Sequence, residues 1–372
     1  MPNHCGMKKL LVASVTVLLA LGGNIVSASE LDAPTTGGFA SDNVEHVSHI
    51  PINLDSAGAK LLDGYFYITT SNGLTIYDVS DPEAPQRLGF LPMLQQPYFA
   101  EEDVDTNGSI LLISTFDGLN VVDVEDKSNP VVVGNLAGAD EHTFTCVLDC
   151  TWAYGSQGAI VDLRDPASPE LVGDWTEGLN VQSRHDVTEV KRGFVLTSTQ
   201  PTYLLDVRDA AKPKAIASGV SDSALMHNNV WPNQMRDKYF LFGTESSGPS
   251  CGNGTGSFQT WSAKNWRNTK TFKLVDEWRP ASGVPTDGNA PANLFCGHWF
   301  DVRPGYRNGG IVAQGFYESG TRFLEVSSKG KIEEIGWFVP YAGSTSAAYW
   351  VTKDIVYAVD YNRGIDILRF TD

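Results

Sequence analysis

The sequence predicts an all-β fold: a seven-bladed β-propeller whose ring is closed by an N-terminal strand that completes the last blade. Three observations predict it. The first is a motif of strand, acid, Pro-bearing turn and strand. It occurs as GLTIYDVSDPEAPQRLG at 73–89, GLNVVDVEDKSNPVVVG at 118–134 and GAIVDLRDPASPELVG at 158–173. The second is that each full unit holds four strand-like runs separated by turn residues, as in EDVDTN, SILLISTF, LNVVDVE and PVVVGNL of the second unit. A four-stranded sheet repeating every ~40–45 residues is the signature of a propeller blade. The third lies in the chain ends. The last unit stops after its third strand at GIDILRF, 364–370, while NVEHVSHIPI at 43–52 resembles a fourth strand in want of a sheet. A ring removes most raw sheet edges, whereas an open row of blades would leave two.

Taken in chain order, residues 1–28 read as a signal peptide. Lys8 and Lys9 form the charged start, Leu10 to Leu21 the apolar segment, and Val26, Ser27 and Ala28 the small-residue cleavage site. The apolar run is too short for a comfortable membrane span. Residues 29–42 read as a flexible leader, and 43–372 as a single propeller domain. The repeat anchors are Asp78, Asp123, Asp162, Asp206, Ser262, Glu325 and Arg369. The copy at 202–219 is clear. The copy at 257–278 is degenerate and longer, and that at 321–338 carries Glu325 in place of Asp. The anchor acids stand beside DP or KP turns, where a carboxylate accepts backbone hydrogen bonds.

Composition narrows the function. The formal charge is −17, and two units more negative once Lys8 and Lys9 leave. Such acidity repels nucleic acid and anionic lipid. The mature chain keeps Cys146, Cys150, Cys251 and Cys296. An even count in an exported chain suggests two disulfides, with Cys146 and Cys150 near enough to clasp a hairpin and Cys251 left for Cys296. The expected location is secreted, extracellular or within the cell envelope, and the expected state is a monomer with no membrane insertion after cleavage.

The runs LTIYDVSDP, LNVVDVEDK, AIVDLRDPA and YLLDVRDAA resemble the LVIVD-repeat family of exported and surface proteins. The segment CGHWFDVRPGYRNGGIVAQGFYESGTRFLEV at 296–326 looks like secreted members of it. The resemblance implies the propeller architecture and assigns no activity.

Function has to come from the histidines. His142, His185, His227 and His298 each stand near the start of a unit's first strand, and Glu102 takes that place in the second unit. First strands line a propeller's axial channel, so four consecutive blades would offer imidazoles at one height. Neutral imidazoles with a carboxylate suit one divalent transition metal: copper, zinc or iron. Glu245 and Glu318, in the loops between second and third strands, open on the same face as candidate proton-moving groups. The alternative is a structural hydrogen bond from each histidine to its own repeat acid. His46 and His49, on the expected outer strand, read as surface residues. Trp231, Trp299 and Trp350 are candidate pocket walls or inter-blade packing. No GxSxG elbow, phosphate loop, HExxH or calcium loop is present. Two functions follow. One is a platform that binds a small molecule or an extracellular protein on the histidine face. The other is a metal-dependent oxidoreductase or hydrolase.

Overall fold

The computed structural model describes residues 37–52, 56–93, 104–115, 117–222, 225–245, 256–280 and 296–372. The expected signal peptide, Glu102 and Cys251 lie outside them.

Seven antiparallel sheets are arranged in a ring, each with its strands in chain order from the hub outward except for the outermost strands of the last two sheets, which come from the N-terminus. The innermost strands are Ser56–Leu62, Val104–Thr106, Phe144–Val147, Ser183–Lys191, Leu225–Val230, Phe300–Val302 and Thr345–Trp350. They belong to blades 1 to 7 in that order. The repeat anchors share one register: Asp78, Asp123, Asp162 and Asp206 each close the third strand of their blade. In blade 5 the extra length between third and fourth strands, Ser257–Ser262 and Lys273–Trp278, carries a short helix at Trp266–Thr269.

Each sheet is covered on both faces, which explains the near-continuous apolar runs. In ILLIST of blade 2, Leu111 and Ile113 pack toward blade 1, with Tyr67, Leu74 and Ile76. Leu112 between them points the other way, toward Phe144, Ala153 and Val161 of blade 3. This is the two-residue period of a strand used twice. Seven separate hydrophobic clusters result, one at each blade–blade interface. The interface between blades 7 and 1 joins Ala347, Tyr357 and Ile367 to Ala59, Phe66 and Tyr77, so the ring is closed.

The N-terminal strand completes blade 7 as expected. Val44–Pro51 pairs with Gly364–Phe370, from Val44 opposite Phe370 to Pro51 opposite Gly364. Two expectations need correction. The leader is ordered before residue 43, because Gly38–Ala40 adds a fifth strand to blade 6 by pairing with Phe338–Pro340. A Cβ at Gly38 would sit 2.3 Å from the Val339 carbonyl oxygen, so glycine permits the close approach. His46 and His49 are not surface residues. Both bond Oδ1 of the buried Asp366, at 2.8 and 2.9 Å, and Arg363 Nη2 donates to both oxygens of the same carboxylate.

Candidate functional site

The axial mouth is built by irregularities in the innermost strands. In blade 4 the pairing steps from Arg184 opposite Thr199 to Asp186 opposite Ser198, so His185 is an extra residue. In blade 5 it steps from Met226 opposite Thr244 to Asn228 opposite Gly243, so His227 is extra too. A bulge turns the side chain of its extra residue out of the sheet's alternation. In blade 6, His298 and Trp299 together face Gly315. The His298 N–H donates to Gly315 O at 2.9 Å, and the Gly315 N–H donates to Trp299 O at 3.1 Å. In blade 7 the extra residue is Ser346.

These positions bring all four histidines together in sequence around the mouth. Ring centroids are 4.6 Å apart for His142 and His185, 3.8 Å for His185 and His227, and 3.9 Å for His227 and His298. His185, His227 and His298 are buried and His142 is half-buried. The alternative histidine–acid bond within each blade is not what the repeat acids make. Asp78, Asp123, Asp162 and Asp206 accept the N–H two residues on, from Ser80, Glu125, Arg164 and Arg208. Asp162 and Asp206 also hold the Arg164 and Arg208 side chains, which keep their carboxyls below the usual range.

His298 has a fixed tautomer. Its Nδ1 donates to Ser346 O at 2.6 Å, leaving the Nε2 lone pair toward the mouth. That Nε2 lies 4.0 Å from Glu245 Oε1 and 3.4 Å from the Tyr361 hydroxyl. The ligating atoms of His227, Glu245 and His298 all fall within 4.8 Å of one another. Glu245 accepts a hydrogen bond from the Tyr317 hydroxyl. Tyr317 holds an uncommon φ of 47°, pinned by two backbone hydrogen bonds with Thr345. Its ring lies parallel to that of Tyr361, 6.0 Å away and tilted by 8°. Trp299 forms the floor, edge-on to His227 at 5.1 Å.

Glu245 is therefore a donor within the cluster rather than a group beside it. Glu318, on the turn after Tyr317, is half-buried and is not one of the clustered donors. Tyr317 and Tyr361 went unnoticed in sequence, although both lie in second-to-third-strand loops, in FYESG and DYNRG. Glu141 was missed as well. It is buried beside His142, and burial pushes its carboxyl up to about 7, against two backbone N–H donors at Ala159 and Gln157. The Cys146–Cys150 disulfide clasps the first hairpin of blade 3. Cys296 is disulfide-bonded too.

Fold and site define a seven-bladed β-propeller with a histidine-lined axial mouth. Within that class the chain carries LVIVD repeats, matched at residues 56–89 and 102–137. No curated protein matches it. Among solved structures it is similar to the Myceliophteria thermophila Cps50 (Swd1) β-propeller domain, at 12% identity and TM-score 0.57, covering 85% of this chain and 97% of that one. It is also similar to a chain of a mitotic checkpoint complex, at 14% identity and TM-score 0.55, covering 93% and 100%. A third is the N-terminal domain of Nup159, at 12% identity and TM-score 0.54, covering 88% and 94%. Likeness at this identity speaks to the fold alone.

Proposed function

We propose that the axial mouth holds one divalent transition metal, copper, zinc or iron, and that the protein acts on a small molecule through it. The observation that carries this reading is the donor set of His227, His298 and Glu245, with the His185 ring 3.8 Å from that of His227. Two neutral imidazoles and a carboxylate bind such metals and leave coordination positions open for a substrate. The Tyr317 hydroxyl would orient Glu245, and the Ser346 carbonyl already orients His298. The metal supplies Lewis acidity or, for copper and iron, electrons. The chain supplies a buried, water-poor mouth and a phenol that can hold a proton on the carboxylate.

The protein works outside the cytoplasm in this reading, which the signal-like residues 1–28 and the disulfides support. Among the described residues no helix is long and apolar enough to cross a membrane. Elemental analysis after purification and metal loading tests the proposal. One equivalent of metal is expected in the parent and less than a tenth in a His227→Ala, His298→Ala double variant of unchanged circular dichroism. Metal-free parent protein after loading with all three metals would refute it.

A metal-free binding platform is the second reading, favoured by the parallel Tyr317 and Tyr361 rings, which offer a flat stacking face. There, aromatic ligands would bind equally with and without chelator.

A further inference from the structure

The clustered donors of the mouth come from two blades: His227 and Glu245 from blade 5, and His298 from blade 6. A third blade reaches the same point. Tyr361 stands in the turn between the second and third strands of blade 7, Ile355–Asp360 and Gly364–Phe370. Its hydroxyl lies 3.4 Å from His298 Nε2.

That turn is held firmly. The Tyr361 N–H donates to Ser344 O at 3.0 Å, and the Asn362 N–H to Asp360 Oδ1 at 2.9 Å. Arg363 is tied through Nη1 to Gly37 O and Tyr341 O. Asp360 and Arg363 are buried, so they anchor the turn on both sides of Tyr361. The Tyr361 ring also lies parallel to that of Tyr317. A phenol held this way is placed before any ligand arrives, which is what a metal site needs.

Distance decides between two roles for it. Good hydrogen bonds to or from nitrogen span about 2.7–3.2 Å, and the contact of Tyr361 with His298 is longer, at 3.4 Å. Two ligand atoms about 2.1 Å from one ion, at the tetrahedral angle, stand about 3.4 Å apart. The Tyr361 oxygen and His298 Nε2 thus have the separation of two ligands of one ion. Tyr317 differs. Its hydroxyl donates to Glu245 Oε1, the place of a group that orients a ligand.

The donor types narrow the metal. Zinc is ordinarily bound by thiolate, imidazole and carboxylate. Tyrosine is a ligand of iron, and mixed nitrogen and oxygen sets suit copper(II). We infer that Tyr361 is the fourth ligand of the ion in the mouth, through its phenolic oxygen, and that the resulting set of two imidazoles, a carboxylate and a phenol takes ferric iron or copper(II) in preference to zinc. The inference rests on the metal reading of the mouth. The phenol proton leaves to solvent as the oxygen binds.

A phenolate on either ion gives a visible charge-transfer band, and zinc gives none. The full chain is loaded in turn with ferric citrate and copper sulfate, desalted, and its absorption spectrum recorded. The parent should hold one equivalent of metal and show the band. Tyr361→Phe, of unchanged circular dichroism, should take up metal at saturation without the band, and bind at least about tenfold more weakly against a competing chelator. Tyr317→Phe should keep the band, which separates the ligand from its neighbour. Metal-loaded parent without the band, a Tyr361→Phe band equal to the parent's, or equal or tighter binding by Tyr361→Phe overturns the inference and leaves the metal reading standing. So does a parent that binds zinc alone. A parent that binds none of the three metals overturns both.

Discussion

At the scale of single residues, the site depends on where an extra residue enters a strand. His185 and His227 reach the axis as bulge residues, and without the bulges they would follow the sheet's alternation into a blade interface. Burial sets a second residue-scale property, the ionisation of Asp360. Burial, and then the nearby charge of Asp366, push its carboxyl up to about 6. The folded state therefore holds that proton more tightly than the unfolded chain, where the group titrates near 3.8. The sign follows: stability is full below about pH 4, falls as pH rises through about 6, and is level above. Asp360→Asn should accordingly stabilise the protein by about 1–3 kcal/mol at pH 8 and by roughly a third as much at pH 4.5. Paired thermal melts at the two pH values measure this, and lower stability at pH 8 would contradict it.

At the scale of elements, the seam between Val44–Pro51 and Gly364–Phe370 is the joint on which the ring depends. Its centre is a buried ion pair with two histidines attached. Burial alone would raise the Asp366 carboxyl, but hydrogen bonds from His46 and His49 and the charge of Arg363 hold it at about 2. This contribution is present above pH 3.8, the ordinary value, and is lost as pH falls through about 2. Removing one partner of a buried pair strands the other charge. Asp366→Ala should cost roughly 3–5 kcal/mol in urea melts, with amide exchange accelerated first in residues 44–51. Exchange that accelerates first in an interior blade would place the weak joint elsewhere.

At the scale of the whole molecule, closure turns seven small interfaces into one hub. No blade has a core of its own, and each apolar cluster belongs to two neighbours. A ligand held by residues from blades 5 and 6 at the hub therefore reports on the closed ring. If the mouth binds metal, free metal at 100 times its dissociation constant should raise unfolding stability by about 2.7 kcal/mol. A chelator should reverse the rise, and the His227→Ala, His298→Ala variant should show none. A metal-induced rise of the same size in that variant would place the binding elsewhere.

The sequence by itself determined the number of blades, their register and the strand that closes the ring. Those follow from local chemistry: turn residues, strand-length apolar runs, and an acid that accepts the N–H two residues on. It also placed four histidines at one height, because one repeat position becomes one level of the channel. Tertiary structure alone decided which donors meet. Glu245 and not Glu318 joins His227 and His298, and Tyr317 and Tyr361 stand beside them. It also made His46 and His49 part of a buried clasp rather than surface groups. Those outcomes turn on bulges and on distances between blades, which no local pattern of residues encodes.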